Sequence, residues 1–254
     1  MRWRPTMSSS EPASTGTAPG TPPSQSGNVP AGIVPRARGF RDGDRFFVFS
    51  QYAVGGILRA ASRIVLEDVN RCPTPDKGPL ILASSHLAYA DIPLLGAFMP
   101  RPPIFFSKSE VESWPVLGAV GARYGTIYVR RGEADRQAIR DALACLAARQ
   151  MLTIFPEGHR NKGRGLLQAQ PGISLMALRG GASVWPVAID GSHLIFNRLR
   201  PTVSIRGGEP FNPRDLLGSD GKTLRDHQEL ANIIMRRIRD LLPASAHGVY
   251  ARDG

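Results

Sequence analysis

The chain has little of what marks disulfide-rich, secreted or membrane-spanning proteins. It carries two cysteines in 254 residues, and Cys72 and Cys145 make neither a disulfide framework nor a metal-ligand spacing. A reducing compartment is therefore the simpler expectation. No uninterrupted apolar run reaches the ~18 residues expected of a membrane-spanning helix. Arg2 and Arg4 are followed by Ser, Pro, Gly and Thr, which is not the apolar stretch of a signal peptide.

Acidic residues are also scarce. The chain has 21 Asp and Glu against 32 Lys and Arg, a net charge of +11. Such a surface favours anionic partners, which include nucleic acid, acidic lipid and phosphorylated substrates. The basic residues are dispersed, without a run of five and without interleaved aromatics. We therefore expect no nucleic-acid partner and favour an anionic membrane surface.

Composition divides the chain into segments around one sizeable core, for which 254 residues and 42% hydrophobic content suffice. Residues 1–43 are rich in Ser, Pro, Thr and Gly, and nearly free of aliphatic side chains from residue 7 to 30. Such a segment cannot offset its chain entropy by burial, so we predict a disordered tail, either a linker or a tethering or regulatory segment. Residues 246–254 are predicted to be a short C-terminal tail.

Residues 44–70 are predicted to form an amphipathic helical element, with the helix itself at 46–66. Apolar residues recur at helical spacing, at Phe46, Phe49, Ala53, Ile57, Ala61 and Ile64. One interpretation is a helix that packs on the domain. The other is an interfacial helix that lies on a bilayer with its aromatic side chains inserted. The aromatic density of residues 46–49 favours the membrane interface.

Short apolar runs then alternate with helical patterns. The predicted strands are residues 80–83, 104–106, 126–129, 152–155, 184–189 and 203–206. The predicted helices are residues 91–98, 114–123, 133–150, 173–179 and 224–242. This alternation predicts a single α/β domain with a mostly parallel central sheet flanked by helices. Ligand groups in such sheets gather beyond the carboxyl ends of the strands.

Two polar blocks follow predicted strands. His86 and Asp91 come after the first strand, and five residues of spacing would not align them on a continuous helix. The spacing suits a histidine on the loop and an aspartate at the start of a helix, where the carboxylate orients the imidazole as a general base. An unrelated loop histidine beside a helix-capping aspartate is the alternative. The second block, residues 155–160, presents Glu157, Gly158 and Arg160 on a tight turn, or else forms a surface turn with a local ion pair.

Three weaker signals accompany these blocks. Arg131 follows the strand at 126–129 and offers a second anion contact, unless it is merely solvated. Lys108 stands after another strand in the same way. Pro186, inside the run at 184–189, predicts an edge strand or the start of a strand.

Taken in order, these blocks resemble the glycerolipid acyltransferase family, most closely the bacterial 1-acyl-glycerol-3-phosphate acyltransferases. The matching patterns are His-x4-Asp at residues 86–91, the Gly-x-Ile-aromatic block that ends at Arg131, Phe-Pro-Glu-Gly-x-Arg at 155–160, and the strand with Pro186. The resemblance implies an acyltransferase domain at residues 71–245. It implies acyl transfer from acyl-CoA or acyl-carrier protein to lysophosphatidate at the cytoplasmic face of the membrane, as a peripheral protein. Base and thioester suffice for this chemistry, so we expect no cofactor and no metal.

The resemblance also implies a role for each residue. His86 deprotonates the acceptor hydroxyl, Asp91 orients His86, and Glu157, with Gly158 beside it in the motif, binds the acceptor glycerol. Its phosphate is bound by Arg131, Arg160 and Lys108. The family usually has Asn where this chain has Ser85, Thr where it has His159, and Asp where it has Arg130. Another lysolipid or glycolipid acceptor, or a non-catalytic lipid-binding module of the same fold, is the alternative.

Overall fold

The computed structural model describes residues 45–108, 125–129, 136–195, 197–216 and 226–251. The predicted tail at 1–43 and the predicted helix at 114–123 lie outside these residues. The described residues form one sheet of seven strands. These are β1 Arg63–Glu67, β2 Leu80–Ser84, β3 Pro103–Lys108, β4 Ile127–Val129, β5 Met151–Ile154, β6 Ser183–Asp190 and β7 Thr202–Gly207.

The strand order is β1-β7-β6-β2-β5-β3-β4. Neighbouring strands are parallel except β6 and β7, which are antiparallel. Strands β1 and β7 therefore begin at the edge of the sheet where β2, β5 and β6 end. The predicted mostly parallel α/β sheet is confirmed.

Helices cover both faces of this sheet, and in the described residues they are α1 Arg45–Ala61, α2 Asp91–Phe98, α3 Arg136–Ala147, α4 Gly172–Gly180 and α5 His227–Arg239. Strand β2 shows why both faces need cover, because all five of its residues are buried. Leu80 and Leu82 pack in the cluster that contains residues of α1 and α2. Ile81 and Ala83 point the other way, into the cluster with α3, α4 and α5.

The predicted helix at 46–66 is wrong in its last turn. Helix α1 ends at Ala61, and β1 begins at Arg63. Its β-branched residues Ile64 and Val65 pair in register with Val203 and Ser204 of β7, which makes the strand more favourable than continued helix. No helix among the described residues is long and apolar enough to cross a membrane.

The prediction of an edge or starting position for Pro186 is also wrong. Strand β6 lies inside the sheet between β7 and β2, and Pro186 is its fourth residue. Its carbonyl accepts the N–H of Gly208 at 2.8 Å, so its nitrogen also faces the β7 side. There the β6–β7 pairing starts only at Val187, and the missing N–H of proline costs no ladder hydrogen bond.

The predicted C-terminal tail packs on the domain as far as Ala251. The side chain of Tyr250 is buried, and its hydroxyl accepts the N–H of Ala169 at 3.0 Å. Val249 donates its N–H to the carbonyl of Leu166 at 3.0 Å. These contacts hold the segment that follows the Glu157 turn.

Candidate active site

Three neighbouring parallel strands, β5, β2 and β6, end at one edge of the sheet. The loop after β2 carries His86, the loop after β5 carries Glu157, and the turn after β6 carries Ser192. Because parallel strands present their carboxyl ends together, residues far apart in sequence meet at this edge.

His86 and Asp91 form a hydrogen-bonded pair. The structure places His86 on the loop and Asp91 as the first residue of α2, as the spacing predicts. Nδ1 of His86 lies 2.7 Å from Oδ2 of Asp91, whose side chain is fully buried, whereas the imidazole keeps 14% exposure. An ionised carboxylate can only accept, so Nδ1 carries the proton and Nε2 keeps its lone pair. That arrangement suits a general base.

The Asp91 carboxylate is held by several other donors. Its Oδ2 accepts the backbone N–H groups of Leu87 at 2.6 Å and Ala88 at 2.8 Å. Its Oδ1 accepts the hydroxyl of Ser192, which is itself buried. A buried carboxylate requires such donors, because it loses the hydrogen bonds of water. The 86–91 loop is therefore wrapped around the aspartate.

Phe155 fixes the plane of the His86 ring. The two ring centroids are 4.0 Å apart, and the rings are tilted by 16°. The two rings form a stacked pair at the carboxyl end of β5. Together with the bond to Asp91, it restricts both the rotation and the tilt of the imidazole.

Glu157 connects the second loop to the first from inside the protein. Its buried carboxylate accepts the N–H of His86 at 2.8 Å and the N–H of Leu167 at 2.9 Å, one on each oxygen. The amide of Asn161 donates to both oxygens, at 3.3 and 3.1 Å. The backbone N–H of Asn161 then donates to the carbonyl of His86 at 2.8 Å. Hydrogen bonds thus hold the peptide groups on both sides of His86.

Burial raises the pKa of the Glu157 carboxyl above its ordinary value, because desolvation outweighs its hydrogen bonds from His86, Leu167 and Asn161. The resemblance implies that this carboxylate contacts the acceptor. In the structure its oxygens are bonded to protein donors that include the N–H of His86, and acceptor binding by Glu157 stays a prediction.

Arg160 lies beside the histidine loop. Its guanidinium carbon is 3.5 Å from the ring centroid of Tyr89, a residue of the 86–91 loop. None of the ion pairs between described residues includes Arg160. Gly158, at φ 73°, allows the turn in which its N–H donates to the carbonyl of Phe155 at 3.0 Å. His159 is exposed next to it.

Two further residues, Lys108 and Arg131, are predicted for the site. Lys108 is the last residue of β3, at the edge where β5 and β2 also end. Arg131 lies outside the described residues. The part of the chain that the structure describes contains no group of three His, Cys, Asp or Glu residues that could hold a metal ion.

Sequence patterns gave no signal for Ser192 or Asn161, which lie outside the matching motifs. Ser85, which replaces the usual Asn, has a structural explanation. Its hydroxyl accepts the N–H of Ile189 at 2.9 Å and donates to the carbonyl of the same residue at 3.1 Å. Ser85 thereby continues the pairing of β2 with β6 one residue beyond the strand, up to His86.

We expect Ser192→Ala to lower kcat about tenfold with little change in KM, because a hydrogen bond to a charged group is worth about 1.5–3 kcal/mol. Ser174→Ala is the matched control. Ser174 is also buried, and its hydroxyl donates a 2.6 Å hydrogen bond to the carbonyl of His227, outside the site. Both variants should lose thermal stability, measured by calorimetry. Equal kcat in the two would contradict a positioning role for Ser192.

This chain is similar to a family model and to several named proteins. The family model described as Acyltransferase matches residues 64–190, half of the chain. A lyso-ornithine lipid O-acyltransferase of Pseudomonas aeruginosa is 39% identical over 44% of this chain and 43% of its own length. A 1-acyl-sn-glycerol-3-phosphate acyltransferase of Neisseria gonorrhoeae is 34% identical over 54% of this chain and 53% of its own. The chain therefore spans about half the length of these relatives.

The fold has a match among solved structures as well. The crystal structure of the 1-acyl-sn-glycerophosphate acyltransferase from Thermotoga maritima superposes with a TM-score of 0.59 at 21% sequence identity. The superposition covers 77% of this chain and 87% of that protein. At this identity the match supports the fold alone. With the family model spanning β1 to β6 and including His86, Asp91 and Glu157, the chain belongs to the acyltransferase family.

Proposed function

We propose that this protein transfers a fatty acyl chain from a thioester to the hydroxyl of an anionic lysolipid, with lysophosphatidate as the leading acceptor. The observation that carries the proposal is the His86–Asp91 pair, in which Nδ1 is bonded at 2.7 Å to a buried carboxylate and the partly exposed ring retains Nε2 as a base. A lysolipid hydroxyl supplies the nucleophile, so the protein needs none of its own.

The proposed reaction proceeds in two steps. Nε2 of His86 takes the hydroxyl proton while the oxygen attacks the thioester carbonyl, and a tetrahedral oxyanion forms. The carbon–sulfur bond then breaks, the ester is released, and the imidazolium returns its proton to the thiolate. Asp91 stabilises the imidazolium between the two steps through its bond to Nδ1.

The acyl donor is proposed to be acyl-CoA or acyl-carrier protein. An apolar cavity of about 200 Å³ opens beside Phe155, whose ring stacks on His86. Phe106, Ile173 and Met176 also line it. This cavity offers an apolar place for the acyl chain next to the reacting carbonyl.

Arg160 supports a phosphate-bearing acceptor, because its planar guanidinium suits a phosphate and sits over Tyr89 beside the dyad. We expect Arg160→Ala to raise the KM for lysophosphatidate about tenfold, since a charge-assisted hydrogen bond is worth about 1.5–3 kcal/mol. The KM for a neutral monoacylglycerol should change little. Initial rates with both acceptors measure the difference.

Arg179→Ala is the control for Arg160→Ala. Arg179 is an exposed arginine near the end of α4, which leads into the start of β6 at the opposite edge of the sheet. The control removes the same charge far from the dyad and should leave both KM values unchanged. An equal loss for the neutral and the phosphate-bearing acceptor in Arg160→Ala would argue against phosphate binding at this residue.

A lyso-ornithine lipid is the second candidate acceptor. The 39% identical relative is named for that substrate, and His159 stands exposed where the family usually has Thr. Purified protein should be given a panel of lysolipids with both donor types, and the products identified by mass spectrometry. Acylation of lysophosphatidate ahead of lyso-ornithine lipid supports the leading proposal, and the reverse order supports the second.

We further propose that the protein acts as a peripheral protein at the cytoplasmic face of the membrane. Helix α1 exposes 69% of Phe49 and 78% of Tyr52 to solvent, and aromatic residues with this exposure suit a membrane interface. The positive net charge of +11 favours anionic lipid. Two cysteines in 254 residues agree with a reducing compartment.

A further inference from the structure

The loop between β6 and β7 presents an exposed apolar side chain between two cations. Leu199 is 97% exposed, and its neighbours Arg198 and Arg200 are also exposed. A single exposed leucine is common on protein surfaces and means little alone. Its significance here depends on what lies beside it.

Helix α1 lies next to this loop. The carbonyl of Pro201, which follows Arg200, accepts the N–H of Arg63 at 2.9 Å. Arg63 begins β1, two residues after α1 ends at Ala61. The loop is therefore adjacent to the C-terminal end of α1.

The exposed side of α1 is also apolar. It includes Phe49, Tyr52 and Ile57, of which Ile57 is 69% exposed. The only charged residues of the helix are Arg45 and Arg59. Neither the helix, residues 45–61, nor the connection, residues 191–201, contains an acidic residue. Apolar side chains surrounded by charges of one sign are what an anionic bilayer would bind.

The topology puts the Arg198–Leu199–Arg200 loop and the C-terminal end of α1 at the catalytic edge. Strand β6 ends at the same edge as β2 and β5, and β1 and β7 begin there. Residues after β6 and before β1 therefore share this edge with the loops that carry His86 and Glu157. Tyr89, between His86 and Asp91, is also mostly exposed.

We propose that the exposed face of α1 and the Arg198–Leu199–Arg200 loop form one docking surface for an anionic bilayer. Leu199 inserts among the acyl chains, and the two arginines bind headgroup phosphates. The contact turns the edge with His86 toward the membrane, where a lysolipid acceptor resides. This inference rests on the proposed lipid substrate and adds a second point of contact to the helix.

Leu199→Asp tests the proposal, with Asn70→Asp as the control. Asn70 is exposed and follows β1 at the opposite edge of the sheet. Both substitutions replace a neutral side chain by aspartate, so each adds one negative charge. The purified full chains are sedimented with phosphatidylcholine vesicles, with and without phosphatidylglycerol. We expect Leu199→Asp to partition at least about tenfold more weakly to the anionic vesicles, as expected for the loss of one buried leucine. Asn70→Asp should bind as the wild type does.

Activity assays separate docking from catalysis. Leu199→Asp should acylate a lysolipid embedded in anionic vesicles more slowly than the wild type, yet keep full activity on a short-chain acceptor dispersed as monomers. Arg198→Gln should weaken binding to anionic vesicles and leave the weaker binding to neutral vesicles unchanged. The thermal midpoints of the variants should match the wild type, because both side chains are exposed.

Three results would overturn the docking surface. One is wild-type vesicle binding by Leu199→Asp. A second is equal binding of the wild type to neutral and anionic vesicles. The third is a wild-type dimer that Leu199→Asp converts to monomer in sedimentation, which would assign the surface to a second copy of the chain. Failure of the proposed acyl transfer would instead leave both activity assays without product while vesicle binding still depended on Leu199.

Discussion

His86→Ala is expected to lower kcat for acyl transfer by about a thousandfold, within the range that a general base contributes. The reason is local, because the partly exposed imidazole is hydrogen-bonded to the buried Asp91 carboxylate and carries the proposed base, Nε2. The measurement is initial-rate kinetics with purified wild type and variant on the same lysolipid and thioester. A calorimetric midpoint close to that of the wild type would show that the loss is chemical and not a failure to fold.

Asp91→Asn provides the matched test of the pair. Asn retains the shape, but an amide cannot hold the imidazole with Nδ1 protonated as a carboxylate does, and its N–H₂ would oppose donors such as Leu87 and Ala88. We expect a comparable loss of kcat, with a lower thermal midpoint. The double variant should be no slower than His86→Ala, because the two residues act as a unit. Full activity of His86→Ala, or additive losses, would contradict the proposed mechanism.

The position of this pair follows from the sequence for a physical reason. An offset of five residues from His86 to Asp91 excludes one continuous helical face, and a loop followed by a helix start is the arrangement that lets them meet. The structure has that arrangement, with Asp91 first in α2 and Nδ1 at 2.7 Å from its carboxylate. Local spacing sufficed because both partners lie in one short loop.

The rest of the site depends on contacts between distant segments. Ser192 reaches Asp91 across 101 residues, and Glu157 reaches the N–H of His86 across 71 residues. The order of the strands in the sheet determines these contacts. Hydrophobic periodicity in the sequence does not predict that order. For the same reason the sequence could not predict that Glu157 faces the protein interior, or that Pro186 lies in a central strand.

Helix α1 shows a different limit. The residues predicted to share its apolar face include Phe49 and Ile57, which the structure leaves exposed, whereas Phe47 and Leu58 are buried. The helix is apolar on nearly all sides, so its pattern does not identify the packed side. Packing against α2 settles it, with Leu58 in the same cluster as Leu94 and Leu95.

Glu157→Gln is expected to lower both stability and activity, although it preserves the shape of the side chain. Each carboxylate oxygen accepts a backbone N–H, from His86 on one and from Leu167 on the other. A glutamine amide group in either orientation therefore places a donor against a donor. Leaving a buried N–H unpaired costs about 1–3 kcal/mol, so the free energy of unfolding should fall by about that amount in calorimetry or urea titration.

The pH dependence of stability offers a second check on Glu157. Burial raises the pKa of this carboxyl above its unfolded value. At a pH between the unfolded and the folded pKa, the native state therefore holds more protons than the unfolded state. The Glu157 contribution to stability is then full below the unfolded pKa of about 4.3 and declines as pH rises through the folded pKa. The stability difference between wild type and Glu157→Gln should therefore narrow with rising pH in that window.

Kinetics decides between the two roles of Glu157. If the carboxylate holds the His86 loop, Glu157→Gln should lower kcat about a hundredfold, because a shift of about 1 Å in a catalytic group has an effect of that size. KM for the acceptor should then stay near its wild-type value. A carboxylate that binds the acceptor glycerol would instead raise KM and leave the thermal midpoint unchanged. Because Asn161 donates to both oxygens of Glu157, Asn161→Ala should reproduce the kcat defect in milder form only if the positioning role is correct.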